Sequence, residues 1–306
     1  MGTLVDVVIP CYNDSATIAF AVASVFQQPE AAQVFVVDDG STDPATLAEL
    51  KRLAADGVTV IRQENAGPGV ARRTGLAAAT APYVFLLDAD DELRPGALGV
   101  LTAHLEAHPE LAAVWCDHER FGDMSGVLRF RRRLDPWLIS YFNHMPAAHA
   151  LLRREAALTV EPTPGWQQGF TYDDWELAMS FAERGLVGEG MPFPLYRYRL
   201  QSNRLGGDQF RDHAELYARL RTCHPSLFAN RRRNWRRSSA PWVLKIGLPL
   251  VELLPISRLR KLLLAWDLND FADGDLMVPV KRLASAAARP IRAGKRHLRK
   301  PRRMTL

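Results

Sequence analysis

The stretch that most constrains this chain is Tyr83–Leu93, Y-V-F-L-L-D-A-D-D-E-L. Tyr83 to Leu87 are apolar or aromatic and carry no charge, which reads as a strand buried on both faces. The run stops on Asp88, Asp90 and Asp91, with Glu92 next. Clustered carboxylates at the end of a core strand are electrostatically costly without a positive partner. Hard carboxylate oxygens suit a divalent cation such as Mg²⁺ or Mn²⁺. In an open α/β sheet, ligands bind outside the carboxyl ends of the strands, where these acids would lie. Alone, the run also reads as a solvated Asp-rich turn. The rest of the chain decides between the two.

Two earlier segments repeat the design. Val5–Ile9 is apolar apart from Asp6, ends at Pro10, and opens into the loop Cys11-Tyr12-Asn13-Asp14. Asp14 or Ser15 suits the cap of a helix running to Gln28, with Ile18, Val22, Val25 and Phe26 at helical spacing. Val34–Val37 is a strand that again ends in acids, Asp38-Asp39-Gly40-Ser41-Thr42-Asp43, before a helix opened by Pro44. A short strand at Val58–Ile61 and a helix over Val70–Ala79 lead to the Tyr83 strand. Alternating strands and helices predict a parallel sheet flanked by helices. Gly67-Pro68-Gly69 lacks the Lys-Ser/Thr ending of a phosphate-binding loop and the G-x-G-x-x-G spacing of a dinucleotide fold. Further on, Pro95 and Gly96 open a helix to about Ala107, Ala112–Cys116 reads as a strand, Phe121–Arg133 as a hairpin or extended stretch, and Ala147–Leu152 as a strand. Tyr172-Asp173-Asp174-Trp175-Glu176 opens a helix that Gly185 ends, and Pro192–Arg199 is a strand.

Charge divides the chain. Residues 1–230 hold 20 Lys+Arg against 29 Asp+Glu, and residues 231–306 hold 19 against 5. An acidic body therefore precedes a basic tail. No cationic leader with a long apolar run is visible, and no apolar stretch is long enough to span a bilayer. Cys11, Cys116 and Cys223 fit no metal or disulfide spacing, which suits a reducing cytoplasm. His118, His144 and His149 form no ligand spacing and read as structural.

Four segments in order, V-V-I-P-C-Y-N at 7–13, V-V-D-D-G-S-T-D at 36–43, L-L-D-A-D-D at 86–91 and Y-D-D-W-E at 172–176, resemble the family 2, GT-A-type glycosyltransferases. The resemblance covers roughly residues 3–205. It implies an α/β, Rossmann-like, mostly parallel sheet. Residues 1–110 would form the nucleotide-sugar-binding half, 111–215 the acceptor half, and 216–306 a helical basic extension. The implied reaction moves a sugar, with inversion, from a nucleoside diphosphate donor (UDP-linked by the family's habit) to an acceptor hydroxyl on a saccharide or lipid-linked acceptor. Cell-surface polysaccharide or glycolipid synthesis is the implied setting.

The resemblance also assigns roles. Pro10, Tyr12 and Asn13 would line the nucleobase pocket, and Asp39 would accept a base N–H. Arg72 would reach toward the base or diphosphate, with Arg73 standing where the family has Asn. Asp88 would hold the ribose, and Asp90, shared with Asp91, the Mg²⁺ or Mn²⁺ ion. Asp174 would be the base and Asp173 stands at the family's Glu position. The chemistry requires such groups: charge builds on the leaving diphosphate, and the acceptor hydroxyl needs a base as it attacks. Trp166 and Trp175 read either as rings stacked on sugar or as core. Arg197 and Arg199 share one strand face, opposite Tyr196 and Tyr198, and read as diphosphate contacts or as a solvated edge.

The tail, from Arg231-Arg232-Arg233-Asn234-Trp235-Arg236-Arg237 through the interrupted apolar run Trp242–Leu254, has three readings. An anchor on an anionic membrane surface, peripheral on the inner face, fits cationic residues beside Trp and Leu. Nucleic acid is not expected, since no nucleic-acid module accompanies the charge. A solvated tail lying on the acidic body is the third. Two rival functions stay open for the body: a sugar-nucleotide binder without turnover, and a nucleotidyltransferase, whose Gly-rich phosphate loop the first turn lacks.

Overall fold

The computed structural model describes residues 5–160, 173–200 and 213–253. The first part alternates as its apolar pattern requires: β1 (Val5–Cys11), α1 (Ile18–Phe26), β2 (Ala31–Asp38), α2 (Pro44–Ala55), β3 (Thr59–Arg62), α3 (Pro68–Ala78) and β4 (Tyr83–Leu86). Asp43 caps α2 by accepting the Thr46 backbone N–H at 2.8 Å, and Pro44 fills the first turn. Asp6, the one charge inside β1, is 1% exposed. Its carboxylate accepts backbone N–H groups of Thr80 at 2.7 Å and Ala81 at 2.9 Å, so the buried charge ties β1 to the loop entering β4.

The second part holds β5 (Glu92–Leu93), α4 (Ala97–Ala107), β6 (Leu111–Gly122), β7 (Gly126–Leu128), β8 (Ala150–Arg153), α5 (Arg154–Leu158), α6 (Asp173–Glu183) and β9 (Val187–Leu200). Among the described residues four more helices follow: α7 (His213–Cys223), α8 (Pro225–Ala229), α9 (Arg231–Arg237) and α10 (Trp242–Leu253). One nine-stranded sheet runs β3-β2-β1-β4-β8-β6-β9-β5, with β7 beside β6. The β3-β2-β1-β4 block is parallel, β8 is antiparallel to both β4 and β6, and β9 is parallel to β6.

Period-two alternation sends each strand's side chains into two layers. Val8, Val37, Val84 and Leu86 face α3 and α6, in one core with Ala71, Leu76, Trp175 and Phe181. Val7, Ile9, Val36 and Phe85 face the other way, packed with Ile18, Val22 and Val25 of α1 and Leu98, Leu101 and Leu105 of α4. The Tyr83 strand is thus buried on both faces, as its uncharged run predicts.

Several boundaries differ from the sequence reading. Helix α1 starts at Ile18 with Thr17 as its cap, and Asp14 instead closes the preceding turn by accepting from the Thr17 hydroxyl at 3.0 Å. Helix α3 starts two residues early because Gly67, at φ 93°, turns the chain directly into Pro68. β6 runs on through Asp117-His118-Glu119-Arg120, whose charges hid it. Ala147–His149 is a turn of 3₁₀ helix, so the strand there begins at Ala150. β5 was not foreseen: its two residues pair with Arg197 and Tyr196 of β9, a contact no local pattern announces. Among the described residues, no helix is long and apolar enough to cross a membrane.

Candidate active site

The carboxyl ends of β1, β2 and β4 lie side by side, and three loops leave them. Asn13, in the left-handed region at φ 53°, joins the first loop to the second. Its side-chain oxygen accepts the backbone N–H of Thr42 at 2.8 Å and of Asp43 at 2.9 Å. Tyr12 beside it is 49% exposed, an aromatic ring presented at the mouth of the loops. Pro10 lies within β1, opposite Val37, and is buried.

Asp38 and Asp39 divide the work of the second strand end. Asp38 pairs with Arg62 of β3 and accepts the Ser41 N–H at 2.8 Å. Asp39, 3% exposed, accepts from Gln63 Nε2 at 2.8 Å, Ala66 N at 2.9 Å and Gly67 N at 2.8 Å. Its carboxylate fixes the loop that feeds α3.

That helix carries Arg72 into the centre of the site. Arg72 is 8% exposed and bridges two acids that lie far apart in sequence. One Nη donates to Asp88 at 2.5 Å, at the end of β4, and the other pairs with Asp173, at the start of α6. Arg73 points elsewhere. Its guanidinium donates to the Val160 carbonyl at 2.5 Å and reaches Ala157 and Leu158 carbonyls at 3.4 Å, closing the end of α5.

After β4 the chain turns back, with the Asp91 N–H donating to the Asp88 carbonyl at 3.1 Å. The turn sets Asp91 beside Asp88, and the imidazole of His149, from the 3₁₀ turn before β8, completes the group. Ligand atoms of Asp88, Asp91 and His149 all lie within 4.8 Å of one another. Asp90, which the resemblance assigns to the metal together with Asp91, lies between these two acids in the turn and outside the trio. Its backbone carbonyl instead accepts from Arg199 Nε at 2.8 Å.

Burial and neighbouring charges set the protonation of this group. Burial pushes the Asp91 carboxyl up to about 8, with Asp88 and Asp90 adding to the shift. Burial also opposes charge on Asp88, but Arg72 and His149 outweigh it and hold that carboxyl well below the usual range. For His149 burial works against the imidazolium, yet the Asp88 carboxylate raises its pKa overall. The His149 Nδ1 is buried without a partner. The imidazole nitrogen that faces the carboxylates is Nε2, 3.0 Å from Asp88 Oδ2, and two adjoining carboxylates with that nitrogen offer the mixed O and N donors a divalent ion can take.

Asp174 is the second carboxyl of the site with a raised pKa. Its Oδ2 accepts from Asn143 Nδ2 at 2.8 Å. Burial, then the adjacent Asp173, raise its pKa to about 6. A carboxylate so placed accepts protons near neutral pH. A small cavity lined by Arg72, Arg73, Leu86, Ala148, Asp173 and Asp174 lies against it.

Other residues are placed differently. Trp175 is 4% exposed and donates its indole N–H to the Ile139 carbonyl at 2.7 Å. It is core, since helical spacing from Asp174 turns it inward, and not a sugar platform. Trp166 lies outside the described residues. Arg197 and Arg199 share a face as alternation predicts, 4.2 Å and 4.4 Å from the Phe121 ring, and both pair with Glu92. On the opposite face the Tyr196 hydroxyl donates to Asp91 Oδ2 at 2.6 Å and its ring stacks on His149 at 4.5 Å. His149, Asn143 and Tyr196 escaped sequence reasoning. Only the Tyr-Arg alternation gave a signal, since it separates Tyr196 from the arginines.

Acids at the carboxyl ends of a mixed sheet, opposite a helix start that presents a raised carboxyl, define a GT-A-type arrangement. Comparison with known proteins agrees. Residues 6–157 match the family described as glycosyl transferase family 2. Over 171 residues the chain is 33% identical to an uncharacterized glycosyltransferase of Mycobacterium bovis, across 52% of this chain and 72% of that protein. The chain belongs to glycosyltransferase family 2. It is also 47% identical over 103 residues to the succinoglycan biosynthesis protein ExoU of Rhizobium meliloti, across 32% of this chain and 30% of that one. The matches thus span under a third of ExoU, and 27% of the uncharacterized glycosyltransferase YaiP of Escherichia coli. Among solved structures, S. aureus TarS in complex with UDP-GlcNAc superposes with a TM-score of 0.58 at 17% identity, over 79% of this chain and 69% of that one. The mannosyltransferase PcManGT of Pyrobaculum calidifontis, in complex with GDP-Man and Mn²⁺, gives 0.52 at 20% identity, over 93% and 88%.

Proposed function

We propose that the protein is an inverting, metal-assisted glycosyltransferase that moves a sugar from a UDP-linked donor to an acceptor hydroxyl. Residues 1–110 hold the nucleotide, 111–215 the acceptor, and 216–306 form a helical basic extension. The observation that carries this reading is the Asp88–Arg72–Asp173 bridge, which ties the strand-end acids to the helix that presents Asp174.

Asp88, Asp91 and His149 are the residues that would hold Mg²⁺ or Mn²⁺, which supplies positive charge to the leaving diphosphate when bound. Tyr12 offers its exposed ring to the base. Asp174 takes the proton from the acceptor hydroxyl, and Asn143 keeps the carboxylate oriented while that happens. The acceptor oxygen forms a bond to the anomeric carbon as the bond to the diphosphate breaks. One displacement from the face opposite the leaving group inverts that centre.

Titration calorimetry of UDP, GDP and dTDP, each with and without Mn²⁺, tests the donor half. Support is UDP binding that needs Mn²⁺ and is lost in Asp88→Ala. GDP preference overturns the uridine assignment, and equal binding without metal overturns the metal. No nucleotide binding by the folded protein overturns the whole reading. Anomeric proton couplings of the product, read by NMR, test inversion.

A further inference from the structure

Helices α9 and α10 form a surface that the catalytic cleft does not use. α9 holds five arginines and no acid. Arg231 is turned to the body, donating to the Ser140 carbonyl at 2.5 Å and the Tyr217 hydroxyl at 2.7 Å, with its guanidinium 3.9 Å from the Tyr141 ring. Arg232, Arg233, Arg236 and Arg237 are exposed. α10 is apolar on two sides. Leu244 and Leu248 pack on Trp137, Leu138 and Phe142, while Trp242 and Ile246, one turn apart, are 68% and 53% exposed. Trp235, 40% exposed, joins the helices: its indole N–H donates to the Lys245 carbonyl at 3.1 Å.

A helix apolar on two sides normally buries both, and among the described residues the body covers the Leu244/Leu248 side, while Trp242 and Ile246 stay exposed. The open side carries Trp and Ile, next to four exposed guanidinium groups. The charge selects an anionic partner, and the exposed Trp and Ile select one with an apolar phase at shallow depth. A bilayer surface has both. A nucleic acid satisfies the arginines but offers Ile246 no apolar phase. The following sequence keeps the same sign, since residues 254–306 carry 13 Lys+Arg against 4 Asp+Glu.

We infer that the α9–α10 face docks the protein on an anionic lipid bilayer, with Trp242 and Ile246 entering the headgroup region and Arg232, Arg233, Arg236 and Arg237 meeting lipid phosphates. The face is linked to the site. The Ser238 hydroxyl donates to Asp135 at 2.6 Å, Trp137 and Phe142 pack on α10, and Asn143, next in the chain, holds Asp174. If the glycosyl-transfer reading stands, the base is held beside the bilayer and the acceptor is borne by it. The docking itself does not rest on that reading.

Vesicle flotation of the full chain tests it, using phosphatidylcholine with and without phosphatidylglycerol. Two variants are compared, Trp242→Ser/Ile246→Ser and Arg232→Gln/Arg233→Gln/Arg236→Gln/Arg237→Gln. Thermal melting checks that both remain folded, the outcome expected for exposed side chains. The expected result is flotation with the anionic vesicles alone and a partition at least about tenfold weaker in each variant. Equal flotation of wild type and variants overturns the assignment to this face. So does absence of flotation, binding to a single-stranded oligonucleotide that ignores Trp242 and Ile246, or a light-scattering dimer that the Trp242/Ile246 variant abolishes. Because no donor is present, failure here leaves the glycosyl-transfer reading separately testable.

Discussion

Asp174, the proposed base, owes its raised pKa to its surroundings. A carboxylate at a helix start is usually strongly acidic, since the first-turn N–H groups favour its charge. Here burial and Asp173 outweigh that and raise its pKa to about 6. A base works only when deprotonated, so kcat should rise with pH through about 6 and level off above it. Asp174→Asn should abolish that limb, lower kcat by roughly 10²–10⁴-fold, and keep nucleotide affinity. A rate that keeps the same pH limb in the variant removes Asp174 from the role. Arg72 makes a second prediction. It is the buried cation between Asp88 and Asp173, and Arg72→Met leaves both short of a partner. Urea denaturation should show a loss of roughly 3–5 kcal/mol. Arg72→Lys should not restore it, because one ammonium replaces a fork that meets two carboxylates. His149→Ala should weaken Mn²⁺ binding by about 10–100-fold in calorimetry, a readout independent of turnover.

At the scale of elements, α3 has the most to position. It brings Arg72 to the site and Arg73 to the end of α5, and it lies close against β1 and β2. Gly75 makes the approach possible: a Cβ there would overlap Val8 Cγ1 and crowd Val37 Cγ2 at 3.2 Å. Neither contact is backbone, but both side chains are buried and packed, so little can shift. Gly75→Ala should cost about 1–3 kcal/mol, measured by denaturation, despite its better helix propensity. A neutral or stabilising result would falsify the close packing of α3 on the sheet. Sequence reading places the helix and its arginines correctly but cannot tell that two neighbours serve different ends. Helical rotation of about 100° per residue separates them.

The whole molecule joins its parts through residues Asp135–Met145. This segment packs on α10, receives Arg231 from α9, and presents Asn143 to Asp174. Arg231→Ala should therefore act at a distance. It removes hydrogen bonds to Ser140 and Tyr217 and a ring contact, and should lower kcat by more than it raises the KM for donor. A change in donor KM alone would show that the segment serves the nucleotide side instead.

The sequence alone determined the alternating first part, the burial of the Tyr83 strand on both faces, and the acids at three strand ends. These follow from local causes: apolar period, caps, and the cost of charge in a core. It also sorted Tyr196 from Arg197, because a strand alternates. What it did not determine is which acids meet. Asp91 comes beside Asp88 through a tight turn. His149 enters from a 3₁₀ turn more than fifty residues on, where a lone histidine gives no spacing to read. Glu92 and Leu93 become a strand only because β9 lies beside them. Trp175 is core because α6 turns it toward Ile139. Each of these outcomes depends on a partner distant in sequence, and only the tertiary structure brings such partners within reach.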